Sequence, residues 1–427
     1  METQTAVRGQ CSSRLKRPQW SARLSGLLIG LFFSCAAWAD APVNVPLSTH
    51  AAIAFSAHRE PLWLAAQLIP AVIAALFLLT GLGMRLRELC ARLARGRWFW
   101  TVTLFACAYI VVSALLTLPF DYYREIVDLR AWNELDQTPA QWFVGEAVSI
   151  AVRVVIAGLF IWIPYALIAK QPRFWWLTAA LALIPVAFFV LVALPVWVDP
   201  LTTNYTPLAD KTLEAKIETL AARCGVPHIP VFIGGDDDTA IGLGPTKRVI
   251  LDKDIFKNET PDQIEFTVGH ELKHYIEGDN WKALAIIAGL MLVGFFLADR
   301  IGRFLIARFS RLFGFDDLAD PASLPLIVLV LSLVWLAVLP GFNLFARHIE
   351  HEADRFGLEL THQNHAAATL FASWSKDHLR NIEHNRFQTI FTATHPSDGD
   401  RIRFANTYRP WADGEPLVYG DVCRKAP

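Results

Sequence analysis

Six apolar runs interrupt an otherwise mixed pattern, near residues 62–84, 98–119, 144–168, 174–198, 283–299 and 322–345. Each is long enough to cross a bilayer as a helix, which takes roughly 17–25 residues. Between the fourth and fifth runs the pattern changes. Residues 209–226 place Leu213, Ile217, Leu220 and Ala221 at helical spacing with charges opposite, an amphipathic helix. "HIPVFIGG" (228–235) reads as a short strand ended by glycines. Residues 236–256 read as turn, strand, turn, strand, broken by Gly242, Gly244 and Pro245. "ETPDQIEFTVGHELKHYIEG" then reads as a helix with Thr260 as N-cap, Pro261 at the first position, Gln263 closing the cap and Gly278 beyond its end. Ile264, Val268 and Leu272 line its buried side.

The expected fold is mainly α: a polytopic transmembrane helical bundle carrying a small α+β unit. The expected divisions are 1–39 (signal peptide or N-terminal anchor), 40–198 (four spans), 199–282 (first half of the α+β unit), 283–345 (two spans) and 346–427 (second half and tail). At the N-terminus Arg14, Lys16, Arg17 and Arg23 precede the run "LSGLLIGLFFSCAAWA", and Ala37-Trp38-Ala39 has the form of a cleavage site.

Composition sharpens this picture. The chain is 54% hydrophobic and only 19% charged, against about a quarter charged in soluble proteins. A net charge of −1 and the lack of a basic, aromatic-interleaved stripe exclude a nucleic-acid role. Charge also orients the spans. Arg85, Arg87, Arg92, Arg95 and Arg97 follow the first run, Lys170 and Arg173 the third, and Arg300, Arg303, Arg308 and Arg311 the fifth. Positive connections stay cytoplasmic, which puts 40–61, 121–143, 199–282 and the tail after 345 on the outer side of a bacterial inner membrane. Of the six cysteines, Cys224 and Cys423 are the two expected on that oxidising side, and they are expected to pair. Glu146 and Arg153, seven apart in the third run, form either a structural ion pair or part of a wetted intramembrane chamber.

The chemistry centres on "HELKH". His270 and His274 lie four apart, so they project from one helical face and can chelate one Zn²⁺, with Glu271 placed to act on water there. The stretch after His274 holds Glu277 and Asn280 where a single-segment site would need its third histidine and glycine turn, so the third ligand comes from elsewhere. "FARHIEHEADRFG" (345–357) offers Glu350 with Asp354 one turn on, as ligand and as brace for a histidine; Glu352, His348 and His351 compete. Strand 247–251, with Lys247, Arg248 and Val249, is read as an open edge to which a substrate adds in extended form.

"HELKH", "EHEADRFG" and "THPSDGDRI" (394–402) together resemble the integral-membrane zinc endopeptidases that include the CAAX prenyl proteases. The segments 197–221, 239–256 and 121–143 are similar to upstream segments of the prenyl protease branch, so the resemblance runs over about 121–405. By motif position it implies that the α+β unit is a gluzincin-type peptidase, with His270, His274 and Glu350 as ligands of one zinc ion, Glu271 as the catalytic glutamate, Asp354 as the residue behind a ligand, and His395 as the group that stabilises the transition state. Where the family has Asn-Ala before its edge strand, this chain has Thr239-Ala240. The eukaryotic prenyl proteases face the cytosol or nucleoplasm, whereas the charge pattern here places the peptidase outside. The expectation is a metalloendopeptidase acting on peptide bonds of membrane or membrane-proximal proteins. The alternatives are a prenyl-peptide protease with a cytoplasmic site, a signalling protease with one partner, and a non-catalytic scaffold that uses zinc for folding.

Overall fold

A computed structural model of the chain describes residues 41–235, 238–376 and 379–423. The expected signal segment, 1–39, lies outside the described residues. The membrane half opens with α1 (His50–Leu79), whose first turn is capped by the Thr49 hydroxyl accepting from the Ala52 amide at 2.9 Å. α2 (Leu82–Leu93) is short and amphipathic, and α3 (Trp98–Tyr122) follows. α4 (Pro139–Phe160) begins with a reciprocal Thr138–Gln141 cap and Pro139 at its first position. It runs on through α5 (Trp162–Lys170), and α6 (Trp175–Phe188) completes the N-terminal set.

The peptidase unit interleaves β1 (Thr206–Pro207), α7 (Lys211–Arg223), β2 (Val231–Ile233), β3 (Thr239–Ile241), β4 (Arg248–Leu251) and the zinc-motif helix α8 (Pro261–Ile276). Two long helices follow, α9 (Asp279–Phe313) and α10 (Leu324–Thr361), then α11 (Asn364–Ser373) and α12 (Asp398–Thr407). Among the described residues six helical segments are long and apolar enough to span a membrane. They extend past the apolar runs: the first starts at His50 and the last continues to Thr361. α10 is therefore both a span and, in its final turns, a wall of the peptidase. Leucines and valines such as Leu115, Val148, Val152 and Leu159 stay exposed on the span surfaces, where lipid replaces water.

The connections between the spans meet one another at the two ends. At one end Arg87 pairs with Asp320, the Tyr165 hydroxyl meets Ser323 Oγ at 3.1 Å, and Arg303 donates to the Pro172 carbonyl at 2.7 Å. At the other end the Val43 amide donates to Asn406 at 2.9 Å and His58 pairs with Asp128 at 2.7 Å. Glu146 and Arg153 form an ion pair at 2.9 Å, with Ser149 Oγ also 2.9 Å from the guanidinium.

The sheet has the order β1-β2-β4-β3, antiparallel except for the parallel β2–β4 pair. This corrects one expectation. Arg248 and Val249 lie in β4, which is hydrogen-bonded on both sides, and Lys247 leads into it, its ammonium donating to the Pro227 carbonyl at 2.5 Å. A strand with both ladders occupied cannot accept another. The edge strands are β1 and β3; β3 carries Thr239 and Ala240 and packs beside α8. Below the sheet, Leu213, Ile217 and Leu220 of α7 share one core with Ile264, Val268 and Leu272 of α8 and Phe356 of α10. Each such side chain contributes about 1.5–3 kcal/mol by leaving water. Cys224 and Cys423 are joined by a disulfide, which ties the end of the chain to the end of α7.

Candidate active site

α8 and α10 cross at two glycines. A Cβ on Gly269 would come within 3.1 Å of the Gly357 Cα, and one on Gly357 within 3.0 Å of the Phe266 ring. This backbone-to-backbone approach lets the short carboxylates of α10 reach the histidines of α8. The reciprocal Thr260–Gln263 cap and Pro261 start α8, so that His270 and His274 fall on its α10-facing side.

Both imidazoles are committed at Nδ1. His270 Nδ1 donates to Asp354 Oδ1 at 3.0 Å, and His274 Nδ1 donates to Asp279 Oδ2 at 2.9 Å. That turns both Nε2 atoms toward one point, and they converge, 3.3 Å apart. Glu350 closes the group, with Oε2 at 3.1 Å from His270 Nε2 and Oε1 at 3.8 Å from His274 Nε2. Tetrahedral ligands about 2.0–2.1 Å from a zinc ion stand roughly 3.3 Å from one another. The donor set and its spacing therefore suit a zinc ion. Of the competing ligands, Glu352 pairs with Arg355 at 2.5 Å and accepts from the Tyr419 hydroxyl at 2.8 Å, and the His351 ring lies against Phe404. His348 is exposed.

Glu271 Oε1 stands 4.0 Å from His270 Nε2. Burial pushes its carboxyl up to about 8; His270 opposes this, and Asp238 and Glu350 add to it. His395 Nε2 reaches Glu350 Oε2 at 3.2 Å, and its side chain is half-exposed. Arg347 steadies that loop by donating to the Ala393 carbonyl at 2.6 Å. Around His270, burial disfavours the charged ring, but Asp354 and Glu350 outweigh it and raise its pKa to about 9. His274 moves the other way, because burial outweighs Asp279.

Sequence reasoning passed over four contributors. Arg401 forks onto Asp354 at 2.8 and 2.6 Å while stacking 4.0 Å over the Phe371 ring. Its signal was an arginine six residues after His395. Asp279 and Lys273 stand behind His274; their signals were a charge inside the histidine motif and an acid directly after Gly278. The Gly269–Gly357 contact left no signal in a single sequence.

A cleft of about 330 Å³ adjoins His274, lined in part by Val192, Val196, Ile241, Leu243 and Trp281. It runs from the end of the fourth span to the end of β3.

The profile of peptidase family M48 matches residues 207–409, and the profile described as CAAX prenyl protease N-terminal, five membrane helices, matches 48–204. An uncharacterized metalloprotease, YhfN, from Bacillus subtilis is 29% identical over 335 residues, covering 77% of this chain and 78% of that protein. The CAAX prenyl protease 1 homolog of Oryza sativa subsp. japonica is 23% identical over 318 residues, 70% of this chain and 71% of that protein. The crystal structure of S. mikatae Ste24p superposes with a TM-score of 0.68 at 19% identity, covering 84% of this chain and 89% of that one.

Proposed function

Because this chain belongs to the membrane metalloendopeptidases of family M48 and carries their CAAX prenyl protease N-terminal region, we propose the following roles for its residues. His270, His274 and Glu350 hold one zinc ion per chain, and the observation that carries this is the convergence of both Nε2 atoms and the Glu350 carboxylate. Bound zinc supplies Lewis acidity to water and to the scissile carbonyl.

The remaining work falls to the chain's own side chains. Glu271, whose carboxylate stands 4.0 Å from His270 Nε2, takes the proton of the attacking water and passes it to the leaving amine. His395 donates from Nε2 to the oxyanion as it forms. A substrate segment adds to the free edge of β3, so that backbone hydrogen bonds align it over Glu271 and side-chain selection is broad.

The peptidase faces away from the cytoplasm in this reading. Support comes from the arginine-rich connections gathered at the opposite end and from the Cys224–Cys423 bridge on the peptidase side. A bacterial inner membrane fits that arrangement. One rival is a prenyl-peptide protease with a cytoplasmic site; two relatives carry the name CAAX prenyl protease 1. A periplasm-active reporter fused at the C-terminus is expected to be active; a reporter active only in the cytoplasm hands the case to the rival.

Metal analysis with a casein assay in detergent tests the chemistry. Wild type should carry one zinc and cleave. Glu350→Ala should lose both. Glu271→Gln should keep zinc and lose turnover by about 10²–10⁴-fold. A Glu271→Gln protein with full turnover removes the assigned base.

A further inference from the structure

The zinc-motif helix carries a lysine between its two histidine turns, and that lysine is buried. Lys273 is 2% exposed, yet it is cationic and three residues from the site's centre. Its ammonium donates to Asp279 Oδ2 at 2.7 Å and to the Ile349 carbonyl at 3.1 Å, one residue before Glu350. The same Asp279 oxygen accepts from His274 Nδ1 at 2.9 Å, and Asp279 Oδ1 accepts from Lys282 at 2.9 Å. Gly278 makes this possible. Its left-handed backbone, φ +66°, ends α8 and starts α9 at once, which folds residue 279 back beside residue 274.

We propose that Asp279 and Lys273 form a positioning unit for the metal site. Asp279 holds His274 with Nδ1 protonated and Nε2 directed at the cation, and Lys273 locks Asp279 to the backbone beside Glu350. This inference rests on the zinc reading above. The unit joins all three ligand-bearing or ligand-bracing elements: α8, the start of the α9 span and the last turns of the α10 span. A carboxylate behind a metal-bound histidine fixes both tautomer and ring orientation, and its loss weakens metal holding about 10–100-fold. Asparagine at 279 retains shape, but it has one acceptor oxygen where two cations and an imidazole N–H now compete.

The test uses the full-length protein in detergent and measures zinc release to an excess of chelator, the visible spectrum of the cobalt-substituted form, and the thermal midpoint of the metal-free form. Asp279→Asn is expected to release zinc about 10–100-fold faster and to change the cobalt bands; its metal-free midpoint falls as well, because the buried Lys273 ammonium loses its carboxylate. Lys273→Met should shift release in the same direction. Glu277→Gln, a change at the acid that stands 3.6 Å from Lys282, should leave release unchanged. Release within twofold of wild type for Asp279→Asn, with an unaltered cobalt spectrum, overturns the proposal. So does faster release by Asp279→Asn with unaltered cobalt bands and a matching fall in metal-free stability, which marks a purely structural role. A wild type that binds no metal overturns both this inference and the zinc reading; loss confined to the variants leaves the zinc reading standing.

Discussion

His270 and His274 sit one turn apart on α8, but the carboxylates behind them lie in unlike surroundings. Asp354 is 1% exposed and is answered by one guanidinium, Arg401, which is itself buried against Phe371 and Trp374. Asp279 lies at the membrane junction and is answered by two lysines, one buried and one half in solvent. The pKa directions follow. His270, between Asp354 and Glu350, is raised to about 9, whereas burial lowers His274. The lesson concerns redundancy: the extramembrane brace depends on a single planar fork, and the junction brace divides its charge between two flexible ammonium groups.

The sharpest way to break this comparison is to remove the cation on each side. Arg401→Met strands a carboxylate in a dry interior, and the metal-free protein should lose about 3–5 kcal/mol of stability. Lys273→Met leaves Lys282 in place and should lose only about 1–3 kcal/mol. Thermal or denaturant unfolding in detergent measures both, and an equal or larger loss for Lys273→Met reverses the contrast. Next in size is the disulfide. It closes 199 residues and pins the tail on the extramembrane side, so the paired Cys224→Ser, Cys423→Ser variant should lose about 2–4 kcal/mol. Non-reducing electrophoresis with thiol trapping establishes that the bond is absent in that variant and present in wild type.

A smaller effect separates the two braces by geometry. Gly357→Ala pushes α10 off α8 at the His270 turn, where the added methyl meets Phe266 and the His270 amide. Overpacking of this kind should cost about 1–3 kcal/mol. It should speed zinc release through Glu350 and Asp354 while the Asp279–His274 contact persists. Cobalt spectra of Gly357→Ala and Asp279→Asn should therefore differ; identical spectra merge the two sides into one unit.

The smallest effect is a pH-dependent control outside both braces. Burial, with help from Asp238, raises the Glu259 carboxyl from 4.5 to about 7. A raised carboxyl pKa means that the folded protein holds its proton longer than the unfolded chain. The stability it contributes is complete below about 4.5 and is lost as pH rises through 7. Glu259→Gln should match wild type near the lower pH and exceed it at pH 8 by on the order of 1 kcal/mol. Unfolding midpoints at the two pH values decide it.

Much of this was legible one residue at a time. Spans, caps and the paired histidines obey local rules: apolar length, Thr260–Pro261–Gln263 at a helix start, and i, i+4 spacing. The strand edge was misread because period and β-propensity announce a strand without saying how many neighbours it has. "RVIL" is apolar because β4 is central, and burial on both sides gives the same signature as a hydrophobic edge. Arg401 and Lys273 were invisible for a related reason: a charged residue looks solvated until the fold supplies its partner.

The chain's order of residues alone determined how many helices could enter a membrane, which segments stay outside it, and which side chains could bind a cation, because those properties depend on neighbours a few positions away. Motif position pointed to Glu350, and the tertiary structure is what brings it, rather than Glu352, to the histidines. It also decided that β3 is a free edge and that each histidine has its own carboxylate. Those outcomes depend on helices crossing at Gly269 and Gly357, a contact between backbones 88 positions apart (357 − 269) that no local pattern encodes.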